Sequence, residues 1–262
     1  RRFRSAISEE VVNSRNLQVD LSGQVGVLIG GAGHICSALA RALTDAGMVV
    51  VVLDLEEPEG GVLPEGVLFL KCDVTSKTEL LKCRKDILAE HPRVDLLING
   101  AGSNASTPFL DILEEEIDQI VGVNLKGTLF ACQVFGETML KQGKGSIINF
   151  ASVSAGPPLS KAFVYSTAKA GVANLTQNLA REWAPQGVRV NALQPGFLPT
   201  KWSMKHFIDD ERKQSILRHT PMNRFAEPQE LVGVVLWLAS DTASFVTGSI
   251  LAIDGGFTAM TV

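Results

Sequence analysis

Tyr165 and Lys169 are the two side chains whose types and spacing most directly suggest chemistry. Residues four positions apart on a helix share one face, so the phenol and the ammonium would lie about one turn apart. A phenol ordinarily has a pKa near ~10, too high for a base at neutral pH, and a nearby cation lowers that pKa. The pair therefore indicates a proton donor or acceptor for a hydroxyl or carbonyl group. A half-buried Tyr beside an extended Lys on an ordinary helix is the alternative.

The elements that must place this pair follow from the hydrophobic pattern. Short apolar runs alternate with longer stretches of helical period, and no linker or repeat divides them. This alternation predicts a parallel sheet covered on both faces, which is an α/β fold with a single doubly wound sheet of Rossmann type. Ligands of such folds bind at the carboxyl ends of the strands. The predicted strands are residues 24–29, 48–53, 67–71, 94–98, 146–150, 188–193 and 250–253, and the predicted helices are 35–46, 77–90, 114–140, 163–183 and 228–239.

Composition narrows the classes of function. The net charge is −4 without a long basic block, so nucleic acid is not an expected partner. No apolar run reaches the ~18 residues that a membrane span needs. Four scattered cysteines indicate reduced thiols, no metal site and a cytoplasmic location. Residues 1–19 are interpreted as an N-terminal arm without an assigned role, and residues 20–262 as one domain.

A glycine-rich turn follows the first predicted strand. Gly30, Gly31 and Gly33 stand before a helix, an arrangement that lets the backbone approach a pyrophosphate at the helix N-terminus. Asp54 ends the second strand, where a carboxylate accepts hydrogen bonds from ribose hydroxyls and repels a 2′-phosphate. No Arg or Lys follows Asp54 closely, so we predict NAD rather than NADP as the cofactor. A turn or capping role for Asp54 is the alternative.

Further motifs, together with Tyr165-x-x-x-Lys169, resemble the short-chain dehydrogenase/reductase family over about residues 20–262. The resemblance implies four catalytic positions, at Asn124, Ser152, Tyr165 and Lys169. The motifs that carry it are Asn99-Gly-Ala-Gly102, Asn124 in Val-Asn-Leu-Lys-Gly, Ser152 thirteen positions before Tyr165, Pro195-Gly196 with Thr200, and Asp254-Gly-Gly256.

The resemblance implies an oxidoreductase that interconverts a secondary alcohol and a ketone with a nicotinamide cofactor. Tyr165 would exchange a proton with the substrate oxygen, Ser152 would hydrogen-bond to that oxygen, and Lys169 would lower the pKa of Tyr165 and bind the nicotinamide ribose. Asn124 would hold a helix distortion and a water that passes protons to Lys169. The cofactor-binding residues predicted in this way are Gly30, Gly33, His34, Ile35, Asp54, Leu55, Asp73, Val74, Asn99, Ala101, Gly102, Tyr165, Lys169, Pro195, Gly196, Leu198 and Thr200.

Two departures from the family pattern lie in the glycine turn and at the end of the fourth predicted strand. The family's glycine turn is Thr-Gly-x-x-x-Gly-x-Gly. This chain has Ile29 in place of the Thr, and His34 and Cys36 in place of the last two Gly. His34 would crowd a pyrophosphate or donate a hydrogen bond to it. The family's Asn-Asn-Ala-Gly carries Gly100 in place of its second Asn, which removes a side-chain amide.

A narrower resemblance, strongest in the C-terminal third, is to the mannonate oxidoreductase (fructuronate reductase-like) branch. It implies a sugar or sugar acid as substrate. The regular alternation lapses at about residues 197–224, and we predict a lid there. The predicted substrate contacts are Asn104, Ser152, Ser154, Tyr165 and Trp202, with Lys201, Arg218 and His219 as further candidates for a hydroxyl or carboxylate.

Two other functions compete with this interpretation. A reductase of 3-oxoacyl thioesters or general ketones would share the fold but would favour NADPH, and Asp54 argues against it. A non-catalytic NAD-binding protein would explain the altered glycine turn but would not need Ser152, Tyr165 and Lys169 together. The family resemblance further implies a homodimer or homotetramer, with helices near residues 126–140 and 163–183 and the segment 255–262 as contact faces.

Overall fold

A computed structural model describes residues 19–57, 63–200, 203–204 and 207–260. The predicted N-terminal arm falls almost entirely outside these ranges. Within them, seven strands form one sheet in which every neighbouring pair is parallel. The strands are β1 (Val25–Ile29), β2 (Val49–Asp54), β3 (Leu68–Lys71), β4 (Leu96–Asn99), β5 (Gly145–Phe150), β6 (Val188–Pro195) and β7 (Ile250–Ile253).

The strand order is β3-β2-β1-β4-β5-β6-β7, so the winding of the sheet reverses between β1 and β4. Connections leave these two neighbours in opposite directions and open a crevice at their carboxyl ends, where doubly wound folds bind ligands. The predicted fold, a single doubly wound parallel sheet, is confirmed. The helices are α1 (His34–Asp45), α2 (Lys77–Glu90), α3 (Glu114–Val121), α4 (Thr128–Gln142), α5 (Phe163–Trp183), α6 (Asp210–Arg218) and α7 (Gln229–Ala239).

Helices cover the sheet on both faces and bury a separate apolar core on each. On one face, Leu39 of α1 and Leu231 of α7 pack with Leu28 of the central strand. On the other, α2, α4 and α5 contribute residues such as Phe135 to a second core. Because both faces are buried, the strands read as continuous apolar runs. None of the described helices is long and apolar enough to cross a membrane.

The structure differs from the predicted elements in two places near the crevice. The single helix predicted at residues 114–140 is divided into α3 and α4 by a π-helical turn, Gly122–Gly127. The irregular segment predicted at about residues 197–224 contains α6, which begins where the Asp209 carboxylate accepts a hydrogen bond from the Arg212 backbone. This is an ordinary N-cap with acidic residues in the first turn, and the sequence analysis did not recognise it.

Candidate active site

Tyr165 and Lys169 lie on α5 and line a cavity of about 600 Å³ together with Ser152. The Lys169 side chain is buried, and its Nζ lies 5.6 Å from the centroid of the Tyr165 ring. This Nζ donates a hydrogen bond of 2.7 Å to the Phe150 carbonyl at the end of β5. Ser152 follows the same strand end, and its Oγ accepts hydrogen bonds from the backbone and the hydroxyl of Ser154. One strand end and one helix therefore place all three groups.

Burial shifts the pKa of both ionisable groups. Desolvation raises the pKa of Tyr165 above that of an ordinary phenol, and the Ser152 hydroxyl partly opposes this rise. Desolvation also lowers the pKa of Lys169, to about 8. In the polypeptide alone, the net shift of the Tyr165 pKa is thus upward, and a lowering of this pKa by Lys169 stays a prediction. The cation is directed to the Phe150 carbonyl, and the loss of solvent around the phenol dominates.

The chain has a single tyrosine, so the titration of Tyr165 can be observed directly. We expect the near-ultraviolet absorbance of tyrosinate to appear only above the ordinary midpoint of about 10, because desolvation disfavours the phenolate. Addition of oxidised NAD, whose nicotinamide ring carries a positive charge, should move the midpoint to lower pH. Tyr165→Phe should abolish the signal, and a midpoint at or below that of free tyrosine would contradict this account.

Asn124 lies fully buried in the π-helical turn. Its Nδ2 donates hydrogen bonds to the Ser103 carbonyl at 2.7 Å and to the Ile120 carbonyl at 2.8 Å. Its Oδ1 faces Gly102 and has no hydrogen-bond partner among the described residues. A buried acceptor without a partner requires a water or a ligand atom, so the side chain suits the water-holding role that the resemblance implies.

The glycine turn between β1 and α1 fits the phosphates of a dinucleotide. Gly30 has a φ of +72°, and a Cβ added there would come within 2.5 Å of the Ala101 backbone. Gly33 is the N-cap of α1 and supplies no side-chain hydrogen bond, so the first N–H groups of this helix remain available to an anion. The exposed side chain of His34 stands beside them at the cavity wall.

The two departures from the family pattern meet in space. The Cys36 side chain, in the first turn of α1, is buried, and its sulfur occupies the space that a Cβ on Gly100 would need. Burial, reinforced by the Asp54 carboxylate, raises the pKa of the Cys36 thiol to about 12. The neutral Cys36 sulfur thus fills the space beside Gly100, where the family pattern has an asparagine side chain, and the glycine turn remains well packed.

We expect Gly100→Ala to destabilise the protein by about 1–3 kcal/mol, because its Cβ would overlap with the Cys36 sulfur. In a Cys36→Ala background the same substitution should cost much less. Urea unfolding of the two single variants and the double variant measures this coupling. Gly233→Ala on α7 is the control and should not destabilise the protein, since its backbone is helical and a Cβ there meets nothing within 4 Å. Additive costs at residues 36 and 100 would contradict the contact.

Asp54 serves the glycine turn and remains partly exposed at the end of β2. Its Oδ2 accepts a hydrogen bond of 3.0 Å from the Ala32 backbone, and its Oδ1 accepts one of 2.8 Å from the Leu55 backbone. The capping role considered for Asp54 is therefore real. It does not exclude a ribose contact, because each carboxylate oxygen can accept more than one hydrogen bond.

The structure brings most of the predicted site residues to the cavity and places others elsewhere. Asn99 directs its side chain into the core, where its Nδ2 donates to Asn149, because the alternation of β4 turns it toward α4. Asp73 caps its own turn by accepting from Thr75, and Ser154 supports Ser152 from outside the cavity lining. The predicted residues that line the cavity are Gly30, Gly33, His34, Ile35, Gly102, Asn104, Ser152, Tyr165, Lys169, Pro195, Gly196, Leu198 and Thr200.

The remaining predicted residues do not share this lining. Arg218 and His219 lie along a separate groove with Pro157 and Arg212, so they are not placed with the catalytic group. Lys201 and Trp202 fall outside the described residues. The sequence analysis missed Glu116 and Gln119, which line the cavity without belonging to any motif. Phe207, within the segment predicted as a lid, lines the cavity as well.

A glycine turn at the switch point, with Ser, Tyr and Lys in the adjoining cavity, defines an oxidoreductase that uses a dinucleotide cofactor. A family model described as Enoyl-(Acyl carrier protein) reductase matches residues 30–258. The chain belongs to the short-chain dehydrogenase/reductase family, and it is an enzyme acting on the CH–OH group of its donors.

Several known proteins are similar over nearly the whole chain. An uncharacterized oxidoreductase, UxuB, of Bacillus subtilis is 36% identical over 93% of this chain and 98% of its own length. An NAD-dependent glycerol dehydrogenase of Listeria innocua is 35% identical over 91% and 95%, respectively. A D-threitol dehydrogenase of Mycolicibacterium smegmatis is 32% identical over 95% and 99%.

A solved structure shows the same fold. The gluconate 5-dehydrogenase of Burkholderia cenocepacia, in complex with NADP and tartrate, superposes with a TM-score of 0.88. It is 27% identical, and the match covers 93% of this chain and 98% of that one. The proteins similar to this chain thus include dehydrogenases named for glycerol, threitol and gluconate, one of them NAD-dependent and one in complex with NADP.

Proposed function

We propose that this enzyme is an NAD(H)-dependent dehydrogenase that interconverts a secondary alcohol and a ketone on a sugar or sugar acid, mannonate-like and fructuronate-like acids included. The observation that carries the proposal is that Ser152, Tyr165 and Lys169 share one cavity with the glycine turn. The glycerol, threitol and gluconate dehydrogenases among the similar proteins support a polyhydroxylated substrate.

In this proposal each residue has a separate task. Tyr165 exchanges a proton with the substrate oxygen, and Ser152 hydrogen-bonds to the same oxygen. Lys169 binds the ribose of the cofactor, while the unpartnered oxygen of Asn124 holds a water on the proton path. When bound, the nicotinamide ring supplies or accepts the hydride.

The end of β2 supports NAD over NADP. Asp54 is followed by Leu55, Glu56 and Glu57, so the chain that leaves β2 adds two carboxylates and no cation over residues 55–57. A 2′-phosphate would meet like charge at this point, whereas ribose hydroxyls would find acceptors.

The proposal is tested with four classes of substrate: polyols, sugar acids, 3-oxoacyl thioesters and hydrophobic ketones or alcohols. Each alcohol is supplied with oxidised NAD or NADP, and each ketone or thioester with NADH or NADPH. We expect turnover with NAD and the first two classes. Reduction of thioesters alone, with NADPH, would instead identify a 3-oxoacyl reductase. Binding of NADH without turnover of any substrate would identify a non-catalytic protein.

We also propose a homodimer or homotetramer in the cytoplasm. Beside the N-terminus of α5, the rings of Phe109 and Phe163 pack edge to face at 5.2 Å, and both remain exposed together with Leu110. An apolar group at a helix predicted as a contact face supports self-association. The four free, buried cysteines support a reducing compartment.

A further inference from the structure

Glu116 lines the cavity and has not been given a role so far. It lies on α3, where it shares one face with Gln119 and Ile120, and all three line the cavity. The Ile120 carbonyl accepts the hydrogen bond from Asn124. The helix that carries Glu116 is therefore fixed to the catalytic site by a buried contact.

The Glu116 carboxylate is held in place but not neutralised. Its Oε2 accepts a hydrogen bond of 2.7 Å from the Thr107 hydroxyl, and the side chain is half-buried. Within the described part of the chain, no cation forms an ion pair with it, and its Oε1 has no hydrogen-bond partner. An ionised carboxylate only accepts hydrogen bonds, so the free oxygen suits a donor on a ligand.

The described lining offers little that would pair with a substrate carboxylate. It contains no arginine, His34 stands at the glycine turn, and the Lys169 ammonium already donates to the Phe150 carbonyl. The other polar side chains of this lining are hydroxyls and amides without charge, among them Ser103, Asn104 and Gln119. A second carboxylate in this partly desolvated space would be repelled by Glu116.

We propose that Glu116, positioned by Thr107, binds hydroxyl groups of the substrate and selects neutral polyols against sugar acids. This inference rests on the proposed function and narrows its substrate class. A polyol has several hydroxyl groups, one of which can donate a hydrogen bond to the free Oε1 of Glu116. A sugar acid with the same carbon skeleton adds a negative charge, which the Glu116 carboxylate repels. Glu116 is thus a specificity-determining residue rather than a catalytic one.

The test compares matched pairs that differ only by CH₂OH against COO⁻: glycerol with glycerate, threitol with threonate, and xylitol with xylonate. We expect NAD-linked kcat/KM to favour the polyol by about 10-fold or more, the usual size for a hydrogen bond to a charged group. Glu116→Gln should raise KM for the polyol about 10-fold with little change in kcat, and should shrink the preference. Glu116→Arg should reverse it.

Glu115→Gln is the matched control, because Glu115 is an exposed neighbour on the same helix that does not line the cavity. Its kinetics should equal those of the wild type, and NADH binding should be unchanged in every variant. Preference of the wild type for the acids, or an unchanged KM in Glu116→Gln, overturns this inference while leaving the dehydrogenase intact. No oxidation of any polyol or sugar acid overturns the proposed function itself.

Discussion

Tyr165→Phe is expected to reduce kcat by about 10²-fold to 10⁴-fold, the usual contribution of a positioned acid or base. The substitution removes only the hydroxyl oxygen and its proton, and the ring that lies 5.6 Å from the Lys169 ammonium is retained. Affinity for NADH, measured by the fluorescence of the reduced cofactor, should therefore change little. Initial rates with an accepted alcohol give the comparison.

Thr167→Ala is the matched control for this experiment. Thr167 lies two residues further along α5 and is exposed, and its hydroxyl donates a hydrogen bond to the Phe163 carbonyl on the same helix. Its loss should leave kcat unaffected. If Tyr165→Phe retained near-normal turnover, another group would have to carry the proton, and the assignment of Tyr165 would be lost.

Asp54→Asn is expected to weaken the preference for NAD about 10-fold to 100-fold, the range for a hydrogen bond to a charged group. The amide oxygen can still accept the hydrogen bond from the Ala32 backbone, so the glycine turn keeps its support. The substitution removes the charge that opposes a 2′-phosphate, and it also removes the hydrogen bond from the Leu55 backbone, because an amide nitrogen cannot accept. The ratio of kcat/KM with NAD to kcat/KM with NADP measures the effect.

A second substitution sharpens this experiment. Leu55 is 55% exposed beside Asp54, and Leu55→Arg added to Asp54→Asn should bring NADP above NAD by supplying a cation for the phosphate. Asp45→Asn, an exposed carboxylate at the end of α1, serves as the control. An unchanged cofactor ratio in Asp54→Asn would mean that Asp54 serves the turn alone.

The parts of the fold that could be predicted are those that local pattern determines. The bounds of α2 and α5 agree with the predicted residues 77–90 and 163–183. The period of the apolar residues and capping residues such as Ser76 are local features that can be recognised from neighbouring positions in the sequence. The order of strands and helices, and the glycine turn at the end of β1, follow from the same kind of signal.

The features that could not be predicted depend on contacts between residues that are far apart in the sequence. The π-helical turn at Gly122–Gly127 contains Asn124, which donates a hydrogen bond to the Ser103 carbonyl. The spacing of apolar residues along the chain does not indicate this turn. The inward direction of the Asn99 side chain depends on the register of β4 against β5. Glu116 enters the site through Thr107, nine positions earlier in a loop, so no motif marks it.

The contact between the Cys36 sulfur and Gly100 makes these two positions depend on each other for packing. Asparagine introduced at residue 100 while the sulfur is present would clash with it, whereas removal of the sulfur alone would leave a void. A chimaera that exchanges nucleotide-binding segments with another family member would therefore have to transfer residues 36 and 100 together.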